Sequence, residues 1–192
     1  MKNLIEIRWH GRGGQGAKTA ALLLADAALA SGKYIQAFPE YGPERMGAPV
    51  ASFNRLADEP ITIHSGVSEP KIVIVLDITL IKTVDVTNGL PQDGVLIINT
   101  AKSPSEIRKE LNISGRKIFT VDASKIALET IKKDIPNTPL LGALIKATNM
   151  LAIDELLADT RKKLEKKFKS KPEIIEGNIT AIKRAYEEGK SE

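Results

Sequence analysis

The 192-residue sequence predicts an α/β fold: a three-layer Rossmann-like domain with a mostly parallel sheet and C-terminal helices. Three observations carry this expectation. Unbroken β-branched runs at 72–76 (IVIVL) and 95–98 (VLII) read as central strands buried on both faces, the mark of a parallel sheet. These runs alternate with segments of helical pattern. An alternating stretch, 3–9, leads through a glycine cluster into an Ala/Leu-rich helix at 17–30. The composition, 42% hydrophobic and 27% charged, is that of an ordinary globular protein. The length fits one domain over 1–192 with a real core, and 153–192 read as a C-terminal helical extension.

In the first element Ile5, Ile7 and Trp9 face one side and Glu6 and Arg8 the other, which is a strand pattern. The cluster Gly11-Arg12-Gly13-Gly14-Gln15-Gly16 follows, and Ser31-Gly32 stops the next helix. Glycines between a strand and a helix let the backbone take positive φ and approach a ligand, while the free N–H groups of the first helical turn point outward. Those donors and the helix dipole favour an anion, typically a phosphate. Gly11, Gly13 and Gly16 satisfy G-x-G-x-x-G in the required context. A P-loop is excluded, because Lys18 comes one residue too late for G-K-T. The dinucleotide pattern is incomplete. It wants an acid at the end of the second strand, whereas the strand at 33–38 ends in Phe38-Pro39 and Glu40 follows in a turn. The alternative use of the glycines is a tight turn with close helix–sheet packing.

The segment 39–49 (PEYGPERMGAP) is too rich in breakers for regular structure, yet carries opposite charges and an aromatic. It is expected at the carboxyl end of a strand, where open α/β sheets place their sites; an ordinary surface loop is the other reading. Residues 50–56 and 61–64 are expected as short strands joined by a turn at 57–60. A weaker strand is expected at 118–121. Asp77 and Asp122, at strand ends, suit helix capping better than catalysis. Ser103-Pro104-Ser105-Glu106 is a capping box with proline at the first helical position. Asn137-Thr138-Pro139 opens a helix over 140–149, apolar nearly all round, in which Gly142 and Ala143 would admit another backbone, from this domain or from another chain. Two further helices, broken at Ser170-Lys171-Pro172, carry the stripes Leu157, Leu164, Phe168 and Ile175, Ile179, Ile182, Tyr186.

The chain contains no cysteine, which excludes disulfides, thiol catalysis and a thiolate-ligated iron–sulfur cluster within it. With only His10 and His64, a histidine-based metal site is not expected either. No apolar run reaches membrane-spanning length and no signal-peptide pattern opens the chain, so a cytoplasmic protein is expected. The formal charge of +4 is local: 161–171 (RKKLEKKFKSK) holds seven basic residues and one acid, leaving 21 basic against 23 acidic residues elsewhere. With one aromatic, Phe168, the run looks like the solvated face of a helix and not a nucleic-acid platform.

The motifs IEIRWHGRGGQGAKTAA, KYIQAFPEYGPERMGAPVASFNR and KIVIVLD stand in this order, followed by NTPLLGALIKAT and GNITAIKRAYEE. With them the sequence resembles, over nearly its whole length, the gamma subunit of the pyruvate or 2-ketoisovalerate:ferredoxin oxidoreductases. The resemblance implies a subunit of an enzyme that oxidatively decarboxylates a 2-oxoacid, expected to be pyruvate, releasing an acyl-coenzyme A and passing electrons to ferredoxin. It implies alpha, beta and delta partner subunits, which hold the thiamine diphosphate and the iron–sulfur clusters, and no catalytic residue in this chain. A glycine-rich helix N-terminus suits a pyrophosphate, and coenzyme A carries one. Gly11, Arg12, Gly13, Gly14, Gln15 and Gly16 are therefore the expected coenzyme A phosphate loop, with Arg12 a phosphate partner and Gln15 a polar contact. Glu40, Tyr41, Gly42, Pro43, Glu44, Arg45 and Met46, on a proline-stiffened loop bearing two common interface anchors, are the expected contact with the thiamine-binding subunit. The rival readings are a free-standing NAD-dependent dehydrogenase and a nucleotide-sensing regulatory module.

Overall fold

The computed structural model describes residues 3–40 and 47–192. The elements run β1 (Ile5–Arg12), α1 (Ala17–Ala30), β2 (Tyr34–Glu40), β3 (Pro49–Ala57), β4 (Ile72–Val75), a 3-10 turn (Ile78–Lys82), β5 (Val95–Asn99), α2 (Pro104–Leu111), β6 (Lys117–Val121), α3 (Ala123–Thr130), α4 (Asn137–Thr148), α5 (Ile153–Lys167), α6 (Pro172–Glu188) and β7 (Lys190–Ser191). They build a sheet of order β2-β3-β1-β4-β5-β6-β7. Strands β1, β4, β5 and β6 are mutually parallel, while β3 and β7 pair antiparallel to their neighbours.

The central strands divide their side chains between two cores, as strands buried on both faces must. Ile72, Ile74 and Ile97 join Ile7, Trp9 and the apolar faces of α1, α3, α4, α5 and α6. Val73, Val75, Leu96 and Ile98 meet Leu80, Val86, Leu90 and Ile107 on the opposite face. That second layer is thinner than expected: the connection from β4 to β5 holds a 3-10 turn and no α-helix.

Three local expectations are corrected. Pro39 and Glu40, expected in an irregular turn beyond the second strand, belong to β2 and stand opposite Ser52 and Ala51 of β3. Strand β1 runs past Trp9 through Arg12, because Gly11 and Arg12 pair with Val50 and Pro49 of β3. Residues 61–64 form no strand. Their carbonyls are taken by side chains instead: Gln36 Nε2 donates to Ile61 O and Ile63 O, and Arg55 donates to Ile63 O, Ser65 O and Gly66 O.

The backbone admitted by Gly142 is the chain's own. A Cβ at that position would stand 2.0 Å from Ile182 O of α6. The capping box at Ser103 forms, with Ser103 N–H donating to Glu106 Oε2 at 2.8 Å. Asp122 caps α3 by accepting from Lys125 N–H at 3.0 Å. Within the basic run Arg161 pairs with Glu176 and Lys163 with Asp26, which tie α5 to α6 and to α1.

Candidate functional site: the glycine loop between β1 and α1

Strand β1 delivers Gly11 and Arg12 to the carboxyl end of the sheet, and the chain turns through Gly13, Gly14, Gln15 and Gly16 into α1. Gly14 (φ +98°) and Gly16 (φ +85°) occupy the left-handed region, so the turn needs glycine at both. Gly16 is the N-cap of α1 and provides no side-chain cap, nor does the first turn hold an acid. Trp9 Nε1 donates to Asn54 Oδ1, and Asn54 Nδ2 donates to Ala21 O. This buried relay fixes α1 against β1 and β3 directly behind the loop.

The loop is braced from two sides. The chain returning into β3 holds it through Gly13 N–H to Ala48 O at 3.0 Å and Gly47 N–H to Gly13 O at 3.3 Å. From the other side Asp77, at the end of β4, accepts from Arg12 Nε and Gln15 Nε2, both at 3.0 Å. Arg12 also donates to Gly47 O and Thr79 Oγ1, and Gln15 Oε1 accepts from Arg12 N–H at 2.8 Å. Asp77 caps the 3-10 turn through Thr79 N–H at 2.9 Å, as its position at a strand end predicts. What the sequence did not disclose is its hold on Arg12 and Gln15. Partial burial works against the Asp77 charge, but the bonds from Thr79 and Gln15 and the Arg12 guanidinium outweigh it and keep the carboxyl below its ordinary range.

A cleft of about 340 Å³ opens beside the loop, walled by Arg12, Gly13, Gly14 and the first turn of α1 on one side and by Pro39, Glu40 and 50–52 on the other. The Glu40 carboxylate on its far rim favours the α1 side for any anion. Glu40 closes β2, so the second strand does end in an acid of the kind a dinucleotide site uses, against expectation, but β2 is not the neighbour of β1. The place beside β1 that a second parallel strand would fill belongs to antiparallel β3, and β2 lies one strand further out.

Behind the loop, Arg8 and His10 face the polar side of β1, each 8% exposed. Arg8 donates to Val86 O and Asn88 O, whereas His10 Nε2 has no hydrogen-bond partner among the described residues. Burial, reinforced by the neighbouring Arg8 charge, lowers the His10 pKa to about 4. No group of three or more His, Cys, Asp or Glu suited to a metal occurs among the described residues. Among them, too, no helix is long and apolar enough to cross a membrane. Of the expected interface residues, Glu40 is exposed at the end of β2; Tyr41, Gly42, Pro43, Glu44, Arg45 and Met46 lie outside the described residues.

The family model for pyruvate ferredoxin/flavodoxin oxidoreductase matches residues 6–188, nearly the whole chain. The chain belongs to this family. Among its relatives in the family, pyruvate synthase subunit PorC of Thermotoga maritima is 49% identical over 189 residues, spanning 98% of this chain and 96% of the relative. The pyruvate/ketoisovalerate oxidoreductases common subunit gamma of Pyrococcus abyssi is 48% identical over 187 residues, 96% of each chain. The crystal structure of the pyruvate oxidoreductase subunit PORC from Thermotoga maritima covers 99% of both chains with a TM-score of 0.86 and 47% identity. The 2-oxoglutarate:ferredoxin oxidoreductase of Magnetococcus marinus, solved with 2-oxoglutarate, coenzyme A and succinyl-CoA bound, shares the fold alone. It is 19% identical, with a TM-score of 0.76 over 96% of this chain and 31% of that one. The chain is thus a gamma-type subunit of a 2-oxoacid:ferredoxin oxidoreductase, and neither the free-standing dehydrogenase nor the sensing module is favoured.

Proposed function

We propose that this chain forms the coenzyme A side of a cytoplasmic pyruvate:ferredoxin oxidoreductase assembled with alpha, beta and delta subunits. Its glycine loop would receive the pyrophosphate of coenzyme A. The observation that carries the proposal is the N-terminus of α1, left without a side-chain cap behind two positive-φ glycines and open to a cleft. The named subunits of Thermotoga maritima and Pyrococcus abyssi support the assembly and the 2-oxoacid. Coenzyme A bound in the Magnetococcus marinus enzyme supports the ligand.

Thiamine diphosphate and iron–sulfur chemistry is assigned to the partner subunits. This chain has no cysteine to offer a cluster. Its own part is to bind and orient. Backbone donors of the loop and the first turn of α1 take the phosphates, and Arg12 adds charge. Three of the five guanidinium N–H groups already serve Asp77, Gly47 and Thr79, which leaves two for a phosphate. Residues 40–46 are proposed as the contact with the thiamine-binding subunit. Their flanks support this, because Gly47 and Ala48 are tied to Gly13 of the glycine loop.

Amide hydrogen exchange on the assembled enzyme tests the loop. Coenzyme A should slow exchange across residues 13–19, and unchanged exchange at saturating coenzyme A would return the loop to a packing role. In the same enzyme Arg12→Ala should raise the coenzyme A KM by about one to two decades, the equivalent of a charge-assisted contact worth roughly 1.5–3 kcal/mol. The 2-oxoacid KM should stay within twofold. A parallel rise of both constants would point to general disruption of the loop.

A further inference from the structure

Four large apolar side chains stand well exposed among the described residues: Leu22 (45%), Leu29 (64%), Tyr34 (47%) and Leu128 (51%). Three of them belong to α1 and to the start of β2. Helix α1 is Ala and Leu apart from Lys18, Thr19 and Asp26, and a helix apolar nearly all round is ordinarily covered all round. Here only the inner side is covered, where Ala17, Ala20, Leu24, Ala27 and Ala28 join the core. On the outer side Leu22, Ala25 and Leu29 follow at spacings of three and four. That spacing makes a seam into which a second helix packs, and the small residue at its middle lets the two backbones approach. Leu22 shares a dimple with Ala37, Phe38 and Pro39, so the seam continues onto β2. Beyond Leu29 the chain turns, Gly32 N–H donating to Leu29 O at 3.1 Å, and Tyr34 opens β2.

The surroundings decide what kind of surface covers the seam. Asp26 is paired with Lys163 and Lys33 with Asp58, and Lys18 is not free either. A charged partner surface would lose its hydration there without gaining a counter-ion, whereas an apolar one fits. Strand addition is discouraged as well. Strand β2 is the outermost of the sheet, but Pro39 removes one of its backbone donors, a common way of blunting an edge. A second copy of this chain, with Ala25 on a two-fold axis, would bring Lys18 towards the Lys33 end of the other α1. We infer that the outer seam of α1, with Tyr34 as an aromatic anchor, is the docking surface for an apolar helix of the thiamine-binding subunit. The inference rests on the proposed assembly. It extends the contact proposed for residues 40–46 back along β2, which runs from Tyr34 to Glu40.

Photo-crosslinking in the assembled enzyme identifies the occupant. A benzophenone amino acid at position 29 should link this chain to the thiamine-binding subunit, and the same group at position 128, comparably exposed on α3, should not. A link from position 29 to a second copy or to the iron–sulfur subunit overturns the inference, and so does a link to no other chain. Leu22→Glu with Leu29→Glu should raise the apparent Kd of the chain for its partners about a hundredfold, while Leu128→Glu stays within about twofold. The Tm of the isolated chain should hold in both; if the double variant loses its fold, Leu29→Glu alone decides. An unchanged Kd overturns the inference. Failure of the parent chain to assemble with the thiamine-binding subunit removes the proposed assembly itself, whereas assembly without the link from position 29 removes the seam alone.

Discussion

Gly16 meets two demands at once, a left-handed backbone and a neighbour that fills the place of its Cβ, so its substitution is the sharpest probe of the loop at the level of single residues. Gly16→Ala should destabilise the chain by roughly 1–3 kcal/mol, lowering Tm by several degrees. Gly14→Ala, with positive φ but open space around a Cβ, should lose less. Equal losses would show that Asn137 yields freely. His10 makes a second prediction. Its folded pKa, about 4, lies below the ordinary 6.5, so the unfolded chain binds the proton more readily. Stability from this group is therefore present above pH 6.5 and is lost as pH falls towards 4, by roughly 3 kcal/mol in all. Denaturant midpoints for the chain and for His10→Gln should converge over that window. A difference independent of pH would mean that His10 is not held neutral. The glycine motif and the capping role of Asp77 were legible in the sequence because both are local. The bonds from Asp77 to Arg12 and Gln15 were not, since they join positions more than sixty residues apart and only the adjacency of β1 and β4 brings them together.

Among elements, α4 and α6 form a close junction. Gly142 lets the helices meet at backbone contact, and Gly177 does the same for α6 against Thr130 O. Gly142→Ala should force them apart and cost about 1–3 kcal/mol or more, read as a lower urea midpoint. Gly66→Ala, in open space, should stay within about 0.5 kcal/mol of the parent. Central strands β4, β5 and β6 were legible because burial on two faces leaves a continuous apolar run. The neighbours of β1 were not. The strand pattern of 50–56 says that a strand exists, not that it inserts antiparallel between β1 and β2. The run at 61–64 misled for a related reason. A short apolar stretch reads as a strand, but here Arg55 and Gln36 satisfy its carbonyls and no neighbouring strand is needed.

At the scale of the whole molecule, the glycine loop, the cleft and both flanks of residues 41–46 share the carboxyl end of the parallel strands, where α/β sheets place their ligands. On the proposed function, ligand and partner would share one edge of the molecule. Tyr41→Ala with Arg45→Ala should release the chain from the complex while leaving the Tm of the isolated chain unchanged; full assembly of the double variant on gel filtration would remove the interface assignment. Reconstitution tests the central claim most directly. Pyruvate- and coenzyme A-dependent reduction of ferredoxin is measured with the thiamine-binding and iron–sulfur subunits, with and without this chain. The account predicts no turnover by the chain alone, and acetyl-coenzyme A formation only when it joins the others. Turnover by the isolated chain, or full activity of the remaining subunits without it, would contradict the account.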